Sequence, residues 1–264
     1  IRAFWGCTMV ILYVSRKKLF LFAGLLIISV ISLIIAVSAY DRVITVMRPQ
    51  REIPIYCVDT TEKKISITFD CAWGADDIPD ILETLNQEGI RATFFLVGKW
   101  AEKNPGMVKL MHQHGHDVGN HSYSHLKMST IGRDRIKAEI EKCNNTLASL
   151  TGAKTDLFRA PYGDYNNLTV SVARELGCYT IQWDVDSLDW KPEITPESII
   201  SRVINKTKPG SILLFHNDTK HTAEVLPVIL QQLKSKGFTF VPVSELIYRD
   251  NFFIDHDGTQ RIKK

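Results

Sequence analysis

The chain has no C-x-x-C pair and no even set of cysteines. Cys7, Cys57, Cys71, Cys143 and Cys178 fall at irregular spacings, and they define neither a disulfide framework nor a zinc knuckle. A clustered basic surface is also missing. Six of the 32 Lys and Arg and one of the 29 Asp and Glu lie in residues 1–50, leaving 26 basic against 28 acidic residues beyond them. A slightly acidic folded part lacks the electrostatic footprint that nucleic acid requires, whereas a neutral glycan is compatible with it. No glycine-rich phosphate loop opens a helix, there are neither repeats nor low-complexity tracts, and no feature predicts a protein partner.

Hydrophobicity, by contrast, is concentrated in one place. Residues 19–40 carry no charge, and a helix of that length spans a bilayer core. Arg16, Lys17 and Lys18 stand immediately before the run, which by the positive-inside rule holds the N-terminal flank in the cytoplasm. The expected arrangement is a single-pass, uncleaved anchor with everything after it extracytoplasmic. The alternative is a signal peptide cleaved near Val37-Ser38-Ala39. Residues 1–18 then form a cytoplasmic segment to which no role is assigned. Residues 41–63, with Pro49 and Pro54, read as a stalk. Residues 249–264 are polar without an amphipathic period, and a mobile tail is expected there.

Between stalk and tail, residues 64–248 alternate short β-like runs with helical stretches. Strands are predicted at 65–69, 92–97, 117–119, 157–159, 179–183, 211–215 and 239–243. Gly89, Gly115, Gly177 and Gly237 each fall between a helical stretch and the next strand, where a left-handed C-cap belongs. Such alternation implies a parallel sheet with crossover helices. Seven units suit a distorted (β/α)7 barrel preceded by the transmembrane helix better than an open doubly wound sheet.

In that architecture the loops after the strands meet on one face. Asp70, His121, His125, Arg159, Asp186 and His216 all fall at predicted strand ends. Burying unpaired charge is costly, so one shared active site explains this placement better than six separate structural roles. The H-x-x-x-H spacing of His121 and His125 lets two imidazoles reach one divalent ion, from a helical turn or from a tight loop. Trp73, Trp183 and Trp190 are candidates to stack on sugar rings or to pack in the core.

The ordered motifs Thr68-Phe69-Asp70, His121-Ser122-Tyr123-Ser124-His125, Arg159-Ala160-Pro161-Tyr162, Asp186-Ser187-Leu188-Asp189-Trp190 and Leu214-Phe215-His216 resemble the five motifs of the polysaccharide deacetylases. These form carbohydrate esterase family four, also called the NodB-homology domain. Within it the chain looks closest to the membrane-anchored, spore-former type. The resemblance implies a seven-unit barrel and metal-dependent removal of N-acetyl groups from a cell-envelope glycan, peptidoglycan or chitin-like. It implies that His121 and His125 bind the metal, that Asp70 is the general base and that Arg159 orients it. His216 would be the general acid, aimed by Asp186. Trp190 and Leu214 would wall the acetyl pocket, and Tyr162 would offer its backbone N–H to the oxyanion. The family's first motif usually carries a second aspartate that binds the metal, but here Cys71 follows Asp70. Cys71 as a thiolate, Asp76 or Asp77 from the next helix start, or water alone could complete the site, with zinc as the expected ion. Two further readings stand beside the deacetylase: a glycan-binding wall protein that has lost turnover, and an O-acetyl esterase on envelope polysaccharide.

Overall fold

The computed structural model describes residues 15–47 and 51–263, so the segment predicted for residues 1–14 lies outside the described residues. The chain divides into two compact units, residues 1–51 and 52–264. In the first, helix α1 runs Arg16–Met47. Its stretch Arg16–Ser38, 23 residues, is long and apolar enough to cross a membrane and buries none of its side chains in protein. A secretory signal has the same properties. The helix continues past the expected end at residue 40, since no helix breaker occurs before Pro49.

The second unit contains β1 (Cys57–Val58), β2 (Lys64–Cys71), α2 (Ile78–Gln87), β3 (Thr93–Leu96), α3 (Gly98–Lys103), α4 (Pro105–Gln113) and β4 (Asp117–Asn120). There follow α5 (Arg133–Thr151), β5 (Leu157–Phe158), α6 (Asn167–Glu175), β6 (Tyr179–Thr180), β7 (Val185–Asp186), α7 (Pro196–Lys206) and β8 (Ile212–His216). The last elements are α8 (Thr222–Ser235), β9 (Thr239–Phe240), α9 (Val243–Leu246), β10 (Phe252–Ile254) and β11 (Thr259–Ile262). The main sheet has the order β6-β5-β4-β3-β2-β8-β7, with β9 beside β2, and its pairs are all parallel. It curls into the half-barrel of the (β/α)7 fold. Of the strand expected at 179–183 only Tyr179–Thr180 is β6, and a separate strand, β7, follows at Val185–Asp186. The residues between them face inward, and Gln182 N–H donates to the carbonyl of Ile55 at 2.7 Å.

Strand alternation sorts this sheet into two faces. In β2, Ile65, Ile67, Phe69 and Cys71 pack with Ile81, Leu85, Leu226, Ile229 and Leu230 of α2 and α8 in the largest core. Phe69 stacks on Phe94 at 5.0 Å between ring centroids. Each such buried apolar side chain contributes roughly 1.5–3 kcal/mol. The alternate residues Ser66, Thr68 and Asp70 face inward and are buried polar groups. They persist there because each has a partner: Ser66 Oγ donates to Val241 O at 2.7 Å, and Thr68 Oγ1 to Leu213 O at 2.7 Å.

Two expectations about the ends are corrected. The folded unit begins well before residue 64: Ile55 is buried, its N–H donates to Thr180 O at 2.9 Å, and β1 pairs with β11. The expected stalk is therefore partly core. Residues 249–264 are not a loose tail either, since β10 and β11 form an antiparallel hairpin that completes a small sheet with β1. Gln260 is fully buried, accepting from Tyr248 N–H at 2.8 Å and donating to Tyr248 O at 2.7 Å. The turn needs Gly258, at φ 85°, where a Cβ would run into the Tyr56 ring.

Candidate active site

Asp70 and His216 are directly paired residues on neighbouring strands, β2 and β8. Parallel register sends both side chains from the same face of the sheet, with backbones roughly 4.8 Å apart. Arg159, just beyond β5, reaches under them. It is wholly buried, and its Nη1 donates to Asp70 Oδ1 at 2.7 Å and to Thr68 Oγ1 at 2.8 Å, while Nη2 donates to Gln182 O at 3.1 Å. Its guanidinium lies 4.0 Å from the centroid of the Phe95 ring. Burial pushes the Asp70 carboxyl upward, but the charge and hydrogen bond of Arg159, with the His216 charge, outweigh it and hold the group below its ordinary value. Asp70 is thus an ionised carboxylate in a nearly water-free pocket.

His121 follows β4, and His121 and His125 occupy a tight loop rather than a helical turn. Ser122 and His125 both have left-handed backbone, φ 61° and 58°, which non-glycine residues adopt only when their surroundings enforce it. The surroundings here are specific. Asn120 Oδ1 accepts Ser122 N–H at 2.8 Å, Ser122 Oγ accepts His125 N–H at 3.0 Å, and the buried Glu139 accepts Ser124 N–H at 2.6 Å. The two imidazole centroids are 5.1 Å apart.

His121 Nδ1 lies 2.8 Å from the Arg159 carbonyl, which only accepts, so the proton sits on Nδ1. Nε2 then turns its lone pair toward Asp70 Oδ2, 3.4 Å away. Burial lowers the pKa of His121, Asp70 notwithstanding. Burial, with His121 nearby, lowers that of His125 to about 3. Both rings are neutral at physiological pH.

The partner of His216 differs from the expectation. Its Nδ1 donates to Asp189 Oδ1 at 2.8 Å, and its own N–H donates to Asp189 Oδ2 at 2.7 Å. Asp186 instead spends Oδ1 on Leu188 N–H at 2.8 Å, while its carbonyl accepts from Arg202. The reason is the turn between them. Leu188 at φ 61° reverses the chain and swings the buried Asp189 under the imidazole. Burial alone would lower the His216 pKa, but the Asp189 hydrogen bond and charge, with Asp70 and Asp186 adding, raise it above the ordinary value. Asp189 is the residue that sequence reasoning missed. It stood in the same motif as Asp186, and only the turn distinguishes them.

Neither proposed third ligand reaches the histidines. Cys71 points to the opposite face of β2 from Asp70, into the core under α2, and burial pushes its thiol well above the usual range. Asp77 Oδ2 accepts Asp218 N–H at 2.9 Å, which ties it to the loop after β8, and Asp76 is exposed. Among the described residues no set of three His, Cys, Asp or Glu forms a ligand cluster.

Leu214 is buried two residues before His216 on the same face of β8. Tyr162, at φ 61°, presses its ring on His125 with centroids 4.5 Å apart and is 58% exposed. Trp183 packs inward, 5.5 Å from the Arg159 guanidinium. Trp73 and Trp190 remain open, at 57% and 53% exposure.

The family model for polysaccharide deacetylase matches residues 58–181. A peptidoglycan-N-acetylglucosamine deacetylase of Bacillus cereus is 34% identical over 187 residues, 69% of this chain and 68% of that protein. The Bacillus subtilis protein YlxY is 32% identical, over 74% of this chain but only 60% of its own length. In the crystal structure of BA3943 from Bacillus anthracis, described as a CE4 family pseudoenzyme, 68% of that chain superposes on 73% of this one, with 35% identity and a TM-score of 0.70. Fold, motif order and relatives agree: the chain belongs to the polysaccharide deacetylase family of carbohydrate esterases.

Proposed function

We propose that this chain removes N-acetyl groups from the glycan of peptidoglycan, working outside a membrane in which α1 is anchored. The observation that carries the reading is the division of labour between the paired residues Asp70 and His216. One environment holds a carboxylate ionised and the other favours an imidazolium, as acid–base hydrolysis near neutral pH requires. The B. cereus relative, named a peptidoglycan-N-acetylglucosamine deacetylase, supports the substrate class. Arg16, Lys17 and Lys18 before the apolar stretch support the orientation.

The site suits a divalent ion. The His121 lone pair and the Asp70 carboxylate are two acceptors facing one another at 3.4 Å without a proton between them, an arrangement that a cation stabilises. His121 and His125 would hold it, with water in place of the carboxylate ligand that Cys71 replaces, and imidazole donors suit zinc. When bound, such an ion acidifies water and polarises the acetamide carbonyl. Asp70 takes the proton of the attacking water, and Arg159 keeps the carboxylate fixed and ionised for that task. His216 delivers a proton from Nε2 to the departing amine, because Nδ1 is committed to Asp189. Leu214 and Trp190 wall the acetyl group, and the Tyr162 backbone N–H receives the developing oxyanion.

A second reading, a glycan-binding protein without turnover, is favoured by the missing carboxylate ligand and by the similarity to a pseudoenzyme. Acetate release from peptidoglycan strands by the full chain in detergent decides between them. Loss of release on chelation and recovery with zinc is expected. Strand binding with no acetate under any divalent ion would establish the second reading, and release only from O-acetylated strands would make the chain an esterase.

A further inference from the structure

Trp73 takes no part in the chemistry above, yet it is a large apolar side chain held in the open beside it. Its loop, between β2 and α2, is rigidly pinned. Gly74 N–H donates to Asp218 Oδ2 at 3.0 Å, and Gly74 O accepts from Trp100 Nε1 at 2.8 Å and from Asn217 Nδ2. A Cβ at Gly74 would lie 2.5 Å from Asp218 Oδ1, so a larger residue here would have to displace the carboxylate that holds the loop. Asp77, at the start of α2, fastens the same loop through Asp218 N–H. The residue preceding this anchor therefore has a fixed backbone, while its neighbour Trp100 is buried in the core. Displaying one indole outward from a clamped loop leaves apolar area in water that a bound partner would cover.

Its position names the partner. The Trp73 and His125 centroids are 5.1 Å apart at an interplanar angle of 76°, and Tyr162 flanks the same imidazole at 4.5 Å. Trp73 thus stands at the edge of the acetamide site, one side chain beyond a metal-binding ring. A polymer whose reacting sugar sits over Asp70 and His216 carries its next sugar about one pyranose length away. The C–H face of a pyranose is the apolar surface that an indole covers.

We infer that Trp73 is the stacking platform for the sugar adjacent to the one being deacetylated, so that the site selects polymer over short fragments. This rests on the proposed function for the identity of the reacting sugar. The test compares the full chain with Trp73→Ala and Trp73→Phe in detergent, using the N-acetylglucosamine monosaccharide and a peptidoglycan octasaccharide. Dissociation constants are measured calorimetrically and acetate release is measured in parallel. Wild type is expected to bind the octasaccharide roughly tenfold more tightly than the monosaccharide. Trp73→Ala should lose most of that ratio through KM with kcat little changed, and Trp73→Phe should keep most of it. Equal weakening at both lengths, an unchanged octasaccharide constant in Trp73→Ala, or a wild type with no length preference would each overturn the inference. Should acetate never appear, the proposed function fails while the calorimetric ratio still decides the role of Trp73.

Discussion

Replacing Asp189 with Asn separates the residue that tunes the general acid from the one the motif alone suggests. The Asp189 carboxylate is completely buried on its side-chain atoms and meets His216 Nδ1 at 2.8 Å, with the imidazole only 17% exposed. A hydrogen bond to a charged group is worth about 1.5–3 kcal/mol. Its loss therefore lowers the His216 pKa, since the Asp189 hydrogen bond and charge are what raise it. Imidazolium would then be lost at lower pH, so the alkaline limb of the rate profile moves down rather than up. Asn can also donate to Nδ1, which would fix the neutral ring with its proton on Nε2, a weaker acid. Since a positioned general acid supplies about 10²–10⁴-fold, kcat should fall by around a hundredfold or more while KM changes little. The His216 pKa read by NMR titration gives the same answer without turnover.

The stability of the fold follows the same sign. A pKa raised above 6.5 in the folded state contributes stability that is complete below 6.5 and is lost as pH rises through the folded value. Asp189→Asn should therefore cost stability at pH 6 and progressively less in alkali. Asp186→Asn, which removes only a more distant charge and the Leu188 contact, should shift the limb far less. A larger shift for Asp186→Asn than for Asp189→Asn would refute the assignment.

Arg159→Met should destabilise the fold by about 3–5 kcal/mol in urea titration, because it strands the buried Asp70 charge, and the double variant with Asp70→Asn should lose less than the sum of the two. Asp70 itself, held below 3.8, contributes stability present above pH 4 and lost as pH falls through its folded value. Acid unfolding of Asp70→Asn should accordingly show a shallower limb by circular dichroism. Cys71→Ala should lose about 1 kcal/mol of stability and none of its metal by elemental analysis, since the thiol fills core volume. Metal lost in proportion to the substitution would instead restore the thiolate ligand.

What the sequence makes legible here is whatever depends on period and order. The run of 65–69, the glycines after the helices and the ordered polar strand ends are local patterns, and the half-barrel with its gathered Asp70, His121, Arg159 and His216 follows from them. What it hides depends on where a turn points. Asp186 and Asp189 lie three residues apart in one motif, and the choice between them rests on the backbone of Leu188. Cys71 and Asp70 are neighbours, yet strand alternation places one in the core and the other in the site, so the question about the metal was one of facing direction. The end segments were misread for a related reason. Ile55 and Gln260 acquire meaning only through partners at Thr180 and Tyr248, far along the chain or across a hairpin.

The distribution of strain joins these cases. Of the six non-glycine residues with positive φ among the described residues, Ser122, His125, Tyr162, Leu188 and Asp218 stand in the loops around the site. Each such residue costs on the order of 1–3 kcal/mol, and Ser122, Tyr162 and Leu188 are not announced by residue type, since only His and Asp among the five are enriched in that region. They persist because buried partners enforce them, as Asn120 and Glu139 do for the histidine loop. It follows that Asn120→Ala, one residue before His121, should release the Ser122 turn and loosen both imidazoles together. Metal affinity would then fall while the circular dichroism of the barrel stays the same. An Asn120→Ala protein that binds metal as tightly as wild type would show that the loop holds its shape without that clamp.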